Sequence, residues 1–178
     1  TVAGDFRPAD VAAGGNGTPC TCTYDCIMLR PQAGAGKWRI AINIGGTSSV
    51  TFLPPWPTSE EEESGAASSF VPLGLDPGLG VFFMDLCVRK INPALEYDDN
   101  GRMARSGKVH HGLLDEFLSY KYYQQSTLPI GVGVEDFPES LFHVWCARAN
   151  SLGVSDVDLL TTLTELTAKQ IARACAKY

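Results

Sequence analysis

Apolar and polar positions alternate most regularly around the centre of the first half of the chain. Trp38, Ile40, Ile42 and Ile44 are interleaved with Arg39, Ala41 and Asn43, a two-residue period built from strand formers. Gly45-Gly46 interrupts it, and a β-branched run resumes at Thr47 and stops at Pro54-Pro55. The pattern predicts a β-hairpin over residues 38–44 and 47–53. Paired glycines followed by Thr and Ser can aim backbone amides and hydroxyls at an anion, usually a phosphate. An ordinary hairpin turn satisfies the same spacing.

Elsewhere the periods are mixed. Residues 1–6 read as the end of a strand, with Val2 and Phe6 apolar, and residues 20–30 as a short helix begun at Pro19. Residues 70–75 predict a further strand running into a turn at Asp76-Pro77-Gly78-Leu79-Gly80, followed by a helix over 81–91. His110 and His111 stand at a helix start, and a helix is expected from about 138 to 149. Residues 155–177 predict an amphipathic helix with Leu159, Leu163, Leu166, Ile171 and Cys175 at helical spacing. The stretch 54–69, PPWPTSEEEESGAASS, has the composition of a mobile surface loop. The order predicts an α/β fold: a mixed twisted sheet with flanking helices, as one lobe spanning residues 1–178.

Composition narrows the partners. A chain of 178 residues with 44% hydrophobic content fits one domain, and a net charge of −6 argues against nucleic acid and anionic membranes as partners. No apolar run approaches a membrane span, and a chain that opens on Thr1 reads as an excised or processed piece. Cys20, Cys22 and Cys26 form C-x-C-x₃-C, which is not a zinc spacing, and the first histidine is His110. No metal site is expected from them, and a reduced, cytoplasmic compartment is the default.

Candidate chemistry concentrates in loops. Between Asp5 and Pro19 lie two aspartates, Arg7 and the glycines Gly14, Gly15 and Gly17. Such loops are kept where backbone approaches a ligand, and they also serve as plain connections. Asp76, beside a glycine turn, suits either a ligand group at a strand end or a helix N-cap. Asp98-Asp99-Asn100-Gly101 hints at a calcium loop but lacks its bidentate glutamate.

Taken together, these loops resemble the anhydro-N-acetylmuramic acid kinases of the actin/hexokinase-like ATPase superfamily. The carrying segments are DFRPADVAAGGNGTP from Asp5, NIGGTSSVTFLPP from Asn43, GLDPGLG from Gly74, YDDNGRMARSG from Tyr97 and TLTELTAKQIA from Thr162. The resemblance implies one lobe of an actin-like (ribonuclease H-like) fold. It implies ATP with Mg²⁺, a small amino sugar as substrate, and opening plus phosphorylation of the sugar's 1,6-anhydro bridge. By the same resemblance Asp10, with Asp5 as the alternative, is the general base. Gly45, Gly46 and Thr47 would face phosphates, and Arg7, Gly14, Gly15, Gly17 and Asp76 would form the substrate loops. Gly133 and Glu135 would belong to the nucleotide loop, and a homodimer is a further assembly to consider. The family's D-T-G-P-G-N is D-P-G-L-G-V here, and its P-K-S-T-G-R-E is P-I-G-V-G-V-E, without the lysine and arginine. Its Gly-Thr-Ser/Asp-Gly loop and its Gly-rich nucleotide segment are not in these residues. A non-catalytic remnant or binding module of the same fold is therefore the alternative function.

Overall fold

A computed structural model of the chain describes residues 4–15, 17–65, 71–125, 131–133 and 135–177. Strands β1 (Arg39–Ile44) and β2 (Thr47–Leu53) form the predicted hairpin, and β3 (Leu73–Leu79) joins the far side of β2. Both pairings are antiparallel, with Ile42 opposite Val50 and Val50 opposite Leu75. Directly paired residues share a sheet face. One face therefore carries Ile40, Ile42 and Ile44, then Val50 and Phe52, then Leu73 and Leu75. The other carries Ala41, Thr51 and Gly74.

β3 departs from its predicted limits. Phe70 lies outside the described residues, and the expected turn at 76–80 is instead mostly strand. The register shifts between Ser48, paired with Gly78, and Val50, paired with Leu75. Asp76 and Pro77 thus sit in a bulge on an outer strand, where a missing proline amide breaks no ladder bond. Asp76 is not a helix N-cap, since the next helix begins only at Phe82.

Helices α1 (Arg7–Ala12) and α2 (Cys22–Leu29) precede the hairpin. α4 (Phe82–Ile91), α5 (His111–Leu118), α6 (Glu139–Ser151) and α7 (Asp156–Lys177) follow the sheet, close to their predicted spans. The stripe Leu159, Leu160, Leu163 and Leu166 of α7 is fully buried. It packs in one core with Phe83 of α4, Leu113 and Phe117 of α5, and Trp145 of α6. Phe117 and Trp145 stack at 3.9 Å between ring centroids, and Phe83 meets Trp145 edge-on at 5.4 Å. Further along α7, Ile171 covers Val50, Phe52 and Leu75, so the same helix closes one face of the sheet. Two buried polar side chains of α7 fix the end of β3: Thr167 donates to the Gly80 carbonyl at 2.9 Å, and Gln170 donates to that of Leu79.

Two other expectations change. Of the strand at 1–6, residues 1–3 lie outside the described residues, while Gly4–Phe6 is irregular and Asp5 has φ +53°. That left-handed conformation is incompatible with an extended strand. Of the low-complexity stretch, 66–69 is likewise outside, but Ser59–Glu63 forms a short helix, α3. A capping box creates it: the Thr58 hydroxyl accepts from the Glu61 amide and the Glu61 carboxylate accepts from the Thr58 amide. The remaining architecture is α/β with flanking helices, as the sequence predicts; where a mixed sheet is expected, the described residues form a small open sheet that is antiparallel throughout, consistent with one actin-like lobe.

Candidate functional site

The Asp5–Pro19 segment folds into α1 and a return loop. Asp5 and Arg7 form an exposed bidentate ion pair, Nε–Oδ1 2.7 Å and Nη2–Oδ2 3.0 Å, which holds the Asp5 carboxyl below the usual carboxylate range. Asp10, one turn on from Arg7, bonds into the return loop instead. Its Oδ2 accepts from the Gly17 amide at 2.8 Å, and its carbonyl accepts from the Gly15 amide at 2.8 Å. The loop closes because Gly17 takes φ +74°, and because Gly15 has no Cβ. A Cβ there would lie 2.1 Å from Oδ2 of Asp10.

This loop forms one wall of a cleft of about 740 Å³. Phe6, Arg7, Asp10, Gly15 and Gly17 line it from this segment, and Cys22, Tyr24 and Ile27 line it from α2. α2 is held against the sheet by Asp25, whose carboxylate accepts from the Thr51 hydroxyl at 2.7 Å. Gly74 also lines it, and a Cβ there would come within 3.0 Å of Cys22 and Pro19. Asp10 therefore stands in an open cleft with one carboxylate oxygen anchored. Asp5 is not among the lining residues.

The hairpin turn is a separate place. The Gly45 amide donates to the Thr47 carbonyl at 2.9 Å. The Gly45 and Gly46 carbonyls accept from the amides of Gly80, Val81 and Phe82 at 2.8–3.1 Å. The turn thus caps the first turn of α4, and those three amides point at protein oxygen. Gly45, Gly46 and Thr47 are themselves exposed. None of them lines the Asp10 cleft. Gly74 at the cleft and Gly80 just past the end of β3 are six residues apart, at most roughly 20 Å of extended chain.

Asp76 connects these regions. It is buried, its Oδ2 accepts from the Val132 amide at 3.0 Å, and the Thr18 side chain hydrogen bonds to the same carboxyl. Burial pushes its pKa up, against both hydrogen bonds. Its backbone carbonyl accepts from the Tyr122 hydroxyl at 2.7 Å. Beside Val132, the Gly133 amide donates to Asp136, and Glu135 folds its carboxylate back over Gly133. Arg7, Asp10, Gly15 and Gly17 are thus brought together. Asp76 reaches them through Thr18, Gly133 and Glu135 join through Val132, and the hairpin turn stands apart. Gly14, at φ +94°, shapes the loop without lining the cleft.

The sequence did not single out Thr18, Asp25 or Tyr122, the polar contacts that fix the cleft and its neighbour loop. Asp25, an acid within an otherwise apolar helical run, was the available signal. Among the described residues no group of three or more His, Cys, Asp or Glu converges as a metal site. Nor is any helix of the described residues long and apolar enough to cross a membrane.

Comparison with known proteins shows the family of the chain. A family model described as anhydro-N-acetylmuramic acid kinase matches residues 1–178. Curated proteins of that name are similar throughout. The one from Crocosphaera subtropica is 35% identical over 98% of this chain and 43% of its own length. Those from Synechocystis and Coxiella burnetii are 33% and 32% identical, each over 100% of this chain and 43% of its own length. The chain spans less than half the length of these relatives, and it belongs to the anhydro-N-acetylmuramic acid kinase family.

Proposed function

We propose that residues 1–178 contribute one lobe, with the general base, to a cytoplasmic kinase that opens and phosphorylates 1,6-anhydro-N-acetylmuramic acid at the expense of ATP. Asp10 takes a proton from the water that attacks the anomeric carbon, the anhydro C–O bond breaks, and the released oxygen receives the terminal phosphoryl group of ATP. The observation that carries this reading is the placement of Asp10: in an open cleft, anchored through one oxygen by the Gly17 amide. A general base must be held within hydrogen-bond reach of its water, and the Gly17 amide fixes one carboxylate oxygen of Asp10 at the cleft, which supports that role.

Gly45, Gly46 and Thr47 are the residues that would face ATP phosphates. The fit is partial. The Gly45 amide already has an intramolecular partner, which leaves the exposed Thr47 side chain as a donor. Mg²⁺, held through the nucleotide's own phosphates rather than by a protein cage, would neutralise charge on the transferring group. Gly133 and Glu135 would approach the nucleotide from the loop tied to Asp76. A second reading, a binding module without turnover, is favoured by one feature: residues 129–135 hold no lysine or arginine. Each such cation contributes about 1.5–3 kcal/mol to a charge-assisted bond with a phosphate.

The test is a chimera in which residues 1–178 replace the matching span of the Crocosphaera relative. Asp10→Asn is expected to abolish sugar phosphorylation at unchanged thermal stability, while Asp5→Asn keeps turnover. A reversed pattern makes Asp5 the base. An unmutated chimera that binds the sugar without turnover establishes the binding-module reading.

A further inference from the structure

We infer that the hollow between Trp38 and Trp56 is a binding site for a quaternary ammonium group. Arg39 pairs with Leu53 at the open end of the hairpin, so the chain just before β1 and the chain just after β2 lie together. Trp38 and Trp56, one from each, line a single hollow of about 290 Å³. They are 56% and 44% exposed. A lone exposed apolar side chain needs no explanation, but two tryptophans converging on one hollow mark a surface that takes a partner.

The hollow is held in shape before any ligand arrives. Arg30 donates to the Pro54 and Pro55 carbonyls at 2.9 and 3.1 Å, and its guanidinium lies 4.3 Å from the Trp56 ring centroid. The Trp56 amide donates to the Pro31 carbonyl at 2.9 Å. That indole is therefore fixed through its backbone and through one ring face. Glu61, which also lines the hollow, is fixed too: its Oε2 accepts from the amide and the hydroxyl of Thr58 at 2.8 and 2.9 Å. Oε1 takes no part in either bond. Gly34 and Gly36, at φ +73° and +63°, add a wall of bare backbone.

These surfaces select a cation without N–H groups. An indole face attracts positive charge through the ring quadrupole, and tryptophan does so best. A primary ammonium or a guanidinium brings several donors that all need acceptors, and the side chains here offer little beyond the Glu61 carboxylate. A trimethylammonium group needs no acceptor and still gains Glu61 as its counter-charge. The charge nearby is negative on balance, with Glu60, Glu61, Glu62 and Glu63 of α3 against Arg30 and Lys37. A cavity of about 150 Å³ admits benzene, so about 290 Å³ accommodates the head group and part of the chain that carries it. None of these residues lines the Asp10 cleft, so the inference is independent of the catalytic assignment.

Indole N–H signals in heteronuclear NMR spectra of the 178-residue chain test it. The chain has three tryptophans, and Trp145 in the core is the internal reference. Choline should shift the Trp38 and Trp56 signals saturably and leave that of Trp145 in place. Its neutral tert-butyl isostere, with carbon in place of nitrogen, keeps the shape and loses the charge, and should bind at least roughly tenfold more weakly. Trp38→Ala should weaken choline by a similar factor. Glu61→Gln keeps the capping acceptor and should weaken choline severalfold at unchanged melting temperature. A peptide carrying trimethyl-lysine is the second arm. Tighter binding than choline assigns the site to a methylated polypeptide, weaker binding assigns it to a free small molecule, and either supports the proposal. Equal binding of the neutral isostere overturns it. So do shifts that never saturate, and so does N-acetylglucosamine moving the same two signals at lower concentration than choline does.

Discussion

The Asp76 carboxylate accepts the Val132 amide at 3.0 Å from inside the protein, and the same carboxyl is hydrogen bonded by Thr18. One buried acid in the β3 bulge thereby ties the loop that ends the Asp10 cleft to the loop that carries Gly133 and Glu135. Removing it would leave a half-buried amide without its protein partner, which costs at most about 1–3 kcal/mol. Asp76→Ala should lower stability by that amount in urea denaturation. It should also speed exchange at the Val132 amide.

The pH dependence of Asp76 has a definite sign. Burial raises its pKa in the folded chain above the ordinary 3.8, so the fold binds this proton more tightly than the unfolded chain does. Its contribution to stability is complete below the unfolded value and is lost as pH rises through the folded one. Asp76→Asn keeps an oxygen for Val132 and cannot ionise. The stability of the Asn variant relative to the parent should therefore increase as pH is raised from about 4 towards neutrality. Melting temperatures of both across that range check it, and a constant difference would refute the assignment.

Gly80→Ala should separate the hairpin turn from α4. A Cβ there would lie 2.0 Å from the Gly45 carbonyl oxygen and 2.7 Å from that of Thr47, both backbone atoms without a side-chain rotamer to yield. The Gly80, Val81 and Phe82 amides all depend on that turn. Overpacking of this kind destabilises by about 1–3 kcal/mol. For a chain of this size the melting temperature should fall by roughly 2–4 °C per kcal/mol.

Much of this fold was legible in local patterns. The alternation in β1 and the glycine pair predicted the hairpin to within a residue, and the apolar spacing predicted α7 over almost its whole length. Strand β3 was harder to read. Asp76, Pro77 and Gly78 are turn formers by propensity, and the bulged pairing with β2 keeps them in the sheet, helped by the Tyr122 hydroxyl on the Asp76 carbonyl, the Ser48 hydroxyl on that of Gly78, and Thr167 and Gln170 of α7 just beyond. α3 was missed because acidic composition was weighed above the Thr58–Glu61 capping pair, which a sequence does display. At the site, the Asp5–Arg7 pair joins residues only two apart, so local sequence alone puts them within reach. The bonds Asp10–Gly17, Asp25–Thr51 and Asp76–Val132 join residues at separations of 7, 26 and 56, where no periodicity speaks.

Thiol reactivity should follow burial. Cys20 is exposed at the cleft, whereas Cys87 is completely buried and its thiol is pushed up to about 12, mainly by burial. The thiolate is the reactive form, so both access and ionisation protect Cys87. Iodoacetamide at mildly alkaline pH should label Cys20 first and reach Cys87 only when the chain is unfolded in denaturant. Peptide mass mapping over time would show the order, and early labelling of Cys87 in the folded chain would contradict the core around Phe83 and Leu163.

The last prediction isolates how the loop holds Asp10. Gly15 has no positive φ, so alanine is compatible with its backbone, and the obstacle is the Asp10 carboxylate itself, 2.1–2.6 Å from where a Cβ would stand. Gly15→Ala must therefore swing that carboxylate away from the Gly17 amide. In the chimera, a correctly positioned base contributes roughly 10²–10⁴ in rate, and Gly15→Ala should lose turnover on the scale of Asp10→Asn. The two changes remove the same thing, so the double variant should be no slower than the worse single one. A strongly non-additive cycle is the signature of residues acting as one unit. Steady-state kinetics on the four chimeras supply the cycle, and melting temperatures guard against a trivial folding loss. Additive losses would mean that Gly15 acts on the sugar directly and that Asp10 is held in place by something other than this loop.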